Sequence, residues 1–166
     1  MKERESNVLS LLEDKTNIYA RKIALGMKTQ FGWKELTYDG LGLMSRRLAA
    51  YLMNDLGIQR GEKLAILSES KPEYGVCVFA SVISGLITVP LDIKLTKYEL
   101  QSILTDCLPS VMLVSQSYID KALELQKVIP SLKHIIVMDE HPVNENLQSI
   151  YLSLIHISEP TRPEPI

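Results

Sequence analysis

The spacing of apolar residues changes several times along the chain, and each change predicts a different element. Residues 7–15 and 39–57 have apolar side chains at three- and four-residue steps, which predicts two amphipathic helices, the second ending near Gly57. Between them, residues 23–26 and 34–38 have the pattern of short strands separated by a turn that contains Gly32. The first third of the chain therefore predicts helix, β-hairpin and helix.

From residue 64 onward, short apolar runs alternate with helical patterns. The runs predict strands at 64–67, 86–89, 111–115 and 134–138, and the stretches between them predict helices at 71–84, 97–107 and 118–129. Ser70 with Glu73 and Thr96 with Glu99 have the spacing of capping boxes before two of these helices. Strands and helices that alternate at this spacing predict an α/β fold with a mostly parallel sheet and helices on both faces.

Composition and charge narrow the class of protein. The chain has 166 residues, of which 46% are hydrophobic and 23% charged, as expected for one folded domain. The net charge of -2 supplies no positive field for nucleic acid or a membrane surface, so we expect no nucleic-acid partner. The charged N-terminus lacks a secretory signal, which indicates a cytoplasmic protein.

An uncharged stretch at residues 74–91 reaches the length of a transmembrane segment. It contains two glycines and a proline, and its pattern changes from helical to β-branched after Gly85. These features predict a helix followed by a strand, and no transmembrane span.

Several near-motifs have ordinary structural explanations. Gly40, Gly42 and Ser45 approach a dinucleotide-binding fingerprint, but the third glycine is missing and we interpret them as turn and cap residues. Cys77 and Cys107 have no CxxC spacing, so we expect two free thiols. Three histidines lack the spacing of metal ligands and are expected to be ordinary strand-edge and loop residues: His134, His141 and His156.

Polar residues at the ends of predicted strands are the remaining candidates. Asp92 follows a strand where α/β sheets place ligands, although a turn explains it better. Ser68, Ser70 and Lys71 follow the 64–67 strand and could line a site, but capping already explains Ser70. Four other lysines are expected to be solvated: Lys97, Lys121, Lys127 and Lys133. No GxxxxGK or GxSxG motif occurs, so we assign no catalytic, cofactor-binding or metal-binding residue.

A series of short segments, taken in order, resembles one known superfamily. The segments are LTY at 36–38, SRRLAA at 45–50, GIQRGEKLAIL at 57–67, ESKPE at 69–73, GLITVPLD at 85–92, and the stretches 103–115 and 133–139. They are similar to the start of the adenylate-forming enzymes, which include acyl-CoA synthetases, adenylation domains and luciferases. The resemblance covers about residues 6–139.

The resemblance implies that residues 1–151 are the truncated N-terminal portion of an AMP-dependent synthetase, closest to long-chain fatty-acid–CoA ligases. Such an enzyme activates a carboxylic acid with ATP and Mg²⁺ and transfers the acyl group to coenzyme A. The family's phosphate, metal and ribose motifs do not occur in this chain, so we expect it to be inactive and to bind none of these cofactors tightly. Two alternatives stay open: an amino-acid or aryl-acid adenylation domain, and a non-catalytic βαβ binding module.

The C-terminal segment is a separate question. LSLIHISEPTR, at residues 152–162, resembles the translation of an adapter used in DNA sequencing. We therefore expect residues 152–166 to be a non-native tail.

Overall fold

A computed structural model describes residues 7–139 and the backbone of a short strand at 148–149. The helices are α1 (Val8–Ile18), α2 (Tyr38–Ala50), α3 (Pro72–Ser84), α4 (Lys97–Cys107) and α5 (Ile119–Gln126). The strands are β1 (Ile23–Thr29), β2 (Gly32–Thr37), β3 (Lys63–Leu67), β4 (Ile87–Leu91), β5 (Val111–Val114), β6 (His134–Val137) and β7 (Gln148–Ser149). His141, His156 and the tail at 152–166 lie outside the described residues.

Five parallel strands form the main sheet, in the order β4-β3-β5-β6-β7. Leu64 and Ile66 of β3 face a core that α1, α2 and α3 complete, while Ala65 and Leu67 face a second core with α4 and α5. All four side chains have no exposed surface, as expected for a strand covered on both faces. The predicted α/β architecture is confirmed.

The predicted hairpin forms as a separate antiparallel sheet of β1 and β2, which lies against α2 and α3. Its strands are longer than the apolar pattern indicated, because exposed residues at the tip continue the pairing as far as Thr29 and Gly32. Leu25 of β1 packs so closely on α3 that a Cβ atom at Gly75 would overlap the leucine side chain. The hairpin therefore sits directly over the first two turns of α3.

One predicted capping box is confirmed and the other is wrong. Thr96 accepts a hydrogen bond from the Glu99 backbone, and the Glu99 carboxylate accepts one from the Thr96 backbone, so α4 begins as predicted. In α3, Pro72 occupies the first helical position and Lys71 is the N-cap residue, whose ammonium has no acceptor with which to cap the helix. Glu73 is therefore the second helical residue, whereas a capping box needs a glutamate at the third, so Ser70 and Glu73 do not form one.

The helix ends also agree with the sequence pattern. A π-helical turn at Tyr51–Asp55 continues α2, so the helical segment ends close to Gly57 as predicted. Gly85 ends α3 with a positive φ of 68°, a conformation that glycine adopts without strain. Residues 74–91 form most of α3 and then β4, and no helix among the described residues is long and apolar enough to cross a membrane.

Candidate functional site

The strand order has a switch point at β3. From β3 the chain passes through α3 to β4 on one side, and after α4 it returns to form β5 on the other side. Helices α3 and α4 lie on opposite faces of the sheet, so a crevice opens between the carboxyl ends of β3 and β5. Open α/β sheets bind ligands at such points.

Five polar residues meet at this crevice and form the switch-point cluster: Glu69, Lys71, Ser115, Gln116 and Asp139. Ser115 Oγ donates to Glu69 Oε2 at 2.6 Å, which joins the segments that follow β3 and β5. Lys71 Nζ lies 2.8 Å from Asp139 Oδ1 and 3.7 Å from Glu69 Oε1. The Gln116 backbone N–H donates to Asp139 Oδ2 at 2.6 Å, so the ends of three neighbouring strands are connected.

The cluster contains one buried cation between two partly exposed carboxylates. The Lys71 side chain is 6% exposed, whereas Glu69 and Asp139 are 41% and 34% exposed. A buried ammonium needs such partners, because an unpaired charge in a protein interior is costly. The side-chain Oε1 of Gln116 is buried and accepts no hydrogen bond from any described residue.

This charge distribution does not fit a triphosphate. Two carboxylates surround a single ammonium, and that ammonium already contacts both of them. Phosphate sites instead present several donors and a positive field. Among the described residues no group of three or more His, Cys, Asp or Glu side chains could hold a metal ion. The switch-point cluster thus connects the ends of three strands, and we assign it no catalytic step.

Of the four polar residues predicted at strand ends, only one belongs to the switch-point cluster. Lys71 belongs to the cluster, but Ser70 is exposed and Ser68 Oγ donates to the neighbouring Glu69 carbonyl at 2.8 Å. Asp92 is exposed and accepts a hydrogen bond from the Lys94 backbone at 2.9 Å, which confirms its interpretation as a turn residue.

Sequence reasoning missed the other four members of the cluster, namely Glu69, Ser115, Gln116 and Asp139. Each of them follows the end of a predicted strand or is its last residue. The signal that identifies this group is the polar residues at the carboxyl ends of all the predicted strands, because parallel strands end at a common edge of the sheet.

The near-match to a dinucleotide fingerprint has structural roles: Gly40 takes part in a helix cap, as predicted, whereas Gly42 and Ser45 make packing contacts that were not predicted. The Gly40 N–H donates to Thr37 Oγ1 at 3.2 Å at the start of α2. A Cβ at Gly42 would lie 2.7 Å from Thr16 Cγ2, so glycine permits α1 to approach. Ser45 Oγ donates to a carbonyl of α3.

The remaining candidates are also structural. Cys77 and Cys107 are free thiols as predicted, and burial raises the pKa of both. His134 begins β6 and is half-buried. Lys97 pairs with Glu124 on the surface.

Among the four lysines predicted to be solvated, Lys121 is an exception. It is half-buried, and its Nζ donates to the Leu95 carbonyl at 3.3 Å and lies over the ring of Tyr118. Lys127 and Lys133 are exposed, as predicted.

Comparison with known proteins agrees with this architecture. Residues 12–164 match the model of the family described as AMP-binding enzyme. The chain is 30% identical over 128 residues to the long-chain-fatty-acid–CoA ligase ACSBG1 of Homo sapiens, which covers 76% of this chain and 18% of that protein.

Two solved structures have the same fold over most of this chain. The anthranilate CoA ligase AuaEII in complex with anthranoyl-AMP is 26% identical, with a TM-score of 0.79 over 90% of this chain and 28% of that one. The A-PCP didomain of carboxylic acid reductase from Segniliparus rugosus, in complex with AMP, has a TM-score of 0.80. That likeness covers 92% of this chain and 27% of the other, and at 19% identity it shows the fold alone.

The fold and the family match define the class: an α/β segment of the adenylate-forming enzymes. The chain belongs to the AMP-binding enzyme family, as the resemblance of its short segments predicted. It spans less than a fifth of the length of the human relative.

Proposed function

We propose that this chain is the N-terminal part of an acid–thiol ligase that activates a fatty acid with ATP and transfers the acyl group to coenzyme A. The observation that carries the proposal is the 30% identity to a long-chain-fatty-acid–CoA ligase, which extends over 128 residues. In this proposal the parent enzyme is cytoplasmic and uses Mg²⁺ with ATP.

Within that enzyme, this chain supplies a framework. Its strands are buried on both faces, and the switch-point cluster fixes the ends of β3, β5 and β6 through charged and polar contacts. The same cluster does not fit phosphates. We therefore propose that the 166-residue chain has no adenylation activity by itself.

An aryl-acid or amino-acid adenylation enzyme is the second candidate. The observation that favours it is the similarity to an anthranilate CoA ligase, whose substrate is an aromatic acid. The two candidates differ in the acid that they activate and share the chemistry of the acyl-adenylate. A non-catalytic βαβ module would activate neither acid.

The test begins with independent sequencing of the gene beyond the codon for Tyr151. A reading frame that continues into a Ser/Thr/Gly-rich loop ending in Pro-Lys-Gly supports an adenylate-forming parent. A native stop codon there contradicts that proposal and favours the binding module. The same sequencing experiment decides whether residues 152–166 are native.

The complete protein is then assayed for pyrophosphate release with Mg²⁺ and ATP. We expect release with hexadecanoate, little with benzoate or an amino acid, and formation of the acyl-CoA when coenzyme A is added. Release with benzoate or an amino acid alone would favour the second candidate. The 166-residue chain is the matched control, and pyrophosphate release by it would contradict its proposed role as a framework.

A further inference from the structure

The hairpin leaves one edge of β1 open beside a groove. Among the described residues, β1 pairs with β2 and with no other strand. The groove has a volume of about 390 Å³ and is lined by Leu25, Gly26 and Met27 of β1 and by Ser70, Lys71 and Pro72 at the start of α3. A groove under one face of a strand is lined by alternate residues, whereas three consecutive residues line this one, as expected at a strand edge. No residue of β2 lines it, so the groove lies along the edge of β1 that is turned away from β2.

The backbone of Gly26 directs its hydrogen-bonding groups toward this open edge. Thr29 and Gly32 close a two-residue turn, so they form a hydrogen-bonded pair, and such pairs recur at every second residue of an antiparallel hairpin. Gly26 and Glu35 are opposite each other at a position between two such pairs. The N–H and C=O of Gly26 therefore point away from β2, and the residue is exposed.

Proteins usually protect an edge of this kind. Charged side chains, proline or a bulge keep other strands from pairing with it. Here a bulge lies between Ile23 and Leu25, and Lys28 is exposed nearer the tip. Between these two features, the edge carries neither charge nor proline, and Gly26 has no side chain that would obstruct an incoming backbone. This short stretch is thus open to pairing at the place where the groove offers space.

We propose that the groove beside Gly26 receives a short extended segment of the parent enzyme, which pairs with β1 as a third strand of the hairpin sheet. This inference rests on the proposed function, because the segment belongs to the part of the enzyme outside this chain. The chain spans 18% of the human relative, so most of a protein of that size remains to contribute such a segment. Attachment to the same polypeptide gives the segment a high effective concentration, so a few main-chain hydrogen bonds are enough to hold it.

The walls of the groove also define the sequence that fits. Leu25 packs on α3 and Met27 lies on the same face of β1, whereas Gly26 lies on the exposed face. A strand added to this edge continues both faces of the sheet. Its side chains next to Leu25 and Met27 are therefore expected to be apolar, and those next to Gly26 polar. Because the groove follows three residues of β1, a paired stretch of about three residues is expected.

The experiment measures amide hydrogen exchange at single residues in the complete protein and in the 166-residue chain, by mass spectrometry with electron-transfer fragmentation. We expect the Gly26 amide to exchange about a hundredfold more slowly in the complete protein, because it then donates to the added strand. The Met27 amide is the internal control, since it faces Lys34 in a hydrogen-bonded pair and should be protected in both proteins.

Two outcomes of the exchange experiment would overturn the proposal. Equal exchange of Gly26 in the two proteins would mean that no strand is added at this edge. Protection of Gly26 in the 166-residue chain that increases with protein concentration would assign the edge to a second copy of the chain instead.

Gly26→Pro tests the same contact through stability. Proline removes the N–H that points toward the groove and removes no hydrogen bond to β2. We expect a lower thermal midpoint for the complete protein and an unchanged one for the 166-residue chain. Glu35→Pro is the matched control, because the N–H of this opposite residue points to the other edge of the hairpin, and it should leave both midpoints unchanged. Equal losses for the two variants in the complete protein, or no loss for either, would contradict the added strand.

This inference and the proposed function fail in different ways. Free exchange of Gly26 in a longer adenylate-forming enzyme contradicts the added strand alone. Pyrophosphate release with a different acid changes the proposed substrate and leaves the exchange result as it is. A native stop codon after Tyr151 contradicts both proposals, and sequencing detects it before any exchange is measured.

Discussion

Lys71 is expected to be the residue of the switch-point cluster on which stability depends most. The substitution Lys71→Met keeps most of the length and volume of the side chain and removes the ammonium. Asp139 then loses a partner at 2.8 Å and Glu69 one at 3.7 Å. Both carboxylates stay at the ends of strands where Ser115 and Gln116 still donate to them.

The magnitude follows from the exposure of the three groups. Removal of one member of a fully buried ion pair costs about 3–5 kcal/mol. Here the lysine is almost fully buried, but the two carboxylates are a third or more exposed, so water can solvate part of the charge left behind. We therefore expect a loss of about 2 kcal/mol in the free energy of unfolding, roughly a thirtyfold change in the equilibrium constant.

The assay is urea unfolding of the 166-residue chain, followed by far-UV circular dichroism. A double-mutant cycle with Asp139→Asn separates the pair from other effects of each substitution. We expect a coupling energy of about 1 kcal/mol, within the usual range for residues in contact. The matched control is Lys97→Met, whose ion pair with Glu124 at 2.7 Å is on the surface and should contribute nothing measurable.

Two results would refute this reasoning. A loss below about 0.5 kcal/mol for Lys71→Met would place it among ordinary surface substitutions. An equal loss for Lys97→Met would show that burial does not decide the effect. Either result would mean that the cluster does not order the ends of the strands.

Four further substitutions test the fold. By urea unfolding, Thr96→Ala should cost about 1 kcal/mol because it removes a helix cap, whereas Ser70→Ala, which caps nothing, should change stability by less than about 0.5 kcal/mol. Gly75→Ala should lower the free energy of unfolding by about 1–3 kcal/mol, because the added Cβ would force Leu25 of β1 to move. The measurement is the change in thermal midpoint, and a smaller loss would indicate a loosely packed hairpin. The hydrogen bond from Ser110 lowers the pKa of Glu62, so the ionised carboxylate stabilises the fold above its unfolded-state pKa, and this stabilisation is lost as the pH falls through the folded-state pKa. Glu62→Gln should therefore flatten the decline in the free energy of unfolding below about pH 5. An unchanged slope would contradict this expectation.

Elements with a strong local signal were predictable from the sequence. The apolar run of β3 predicts a buried strand, and the Thr96–Glu99 spacing predicts the start of α4, because each depends on residues close in the chain. The switch-point cluster depends instead on strand order. Its Lys71–Asp139 and Ser115–Glu69 contacts join residues 68 and 46 positions apart. No local spacing encodes such a contact, and only the carboxyl-edge rule would have indicated it.

The wrong capping box and the separate contacts of Lys71 and Glu73 have a common origin in Pro72. A proline disfavours the helical conformation in the residue before it, and Lys71 accordingly is extended, with φ -153° and ψ 163°. Lys71 thus becomes the N-cap, and Glu73 falls at the second helical position instead of the third. The lysine ammonium pairs with Asp139 at the ends of the strands, while the glutamate pairs with Lys34 beneath the hairpin. One backbone restriction therefore divides two neighbouring charges between the switch-point cluster and the contact of α3 with the hairpin. For this reason the ESKPE segment, whose sequence resembles a simple helix start, places its lysine and its second glutamate in two separate ion pairs.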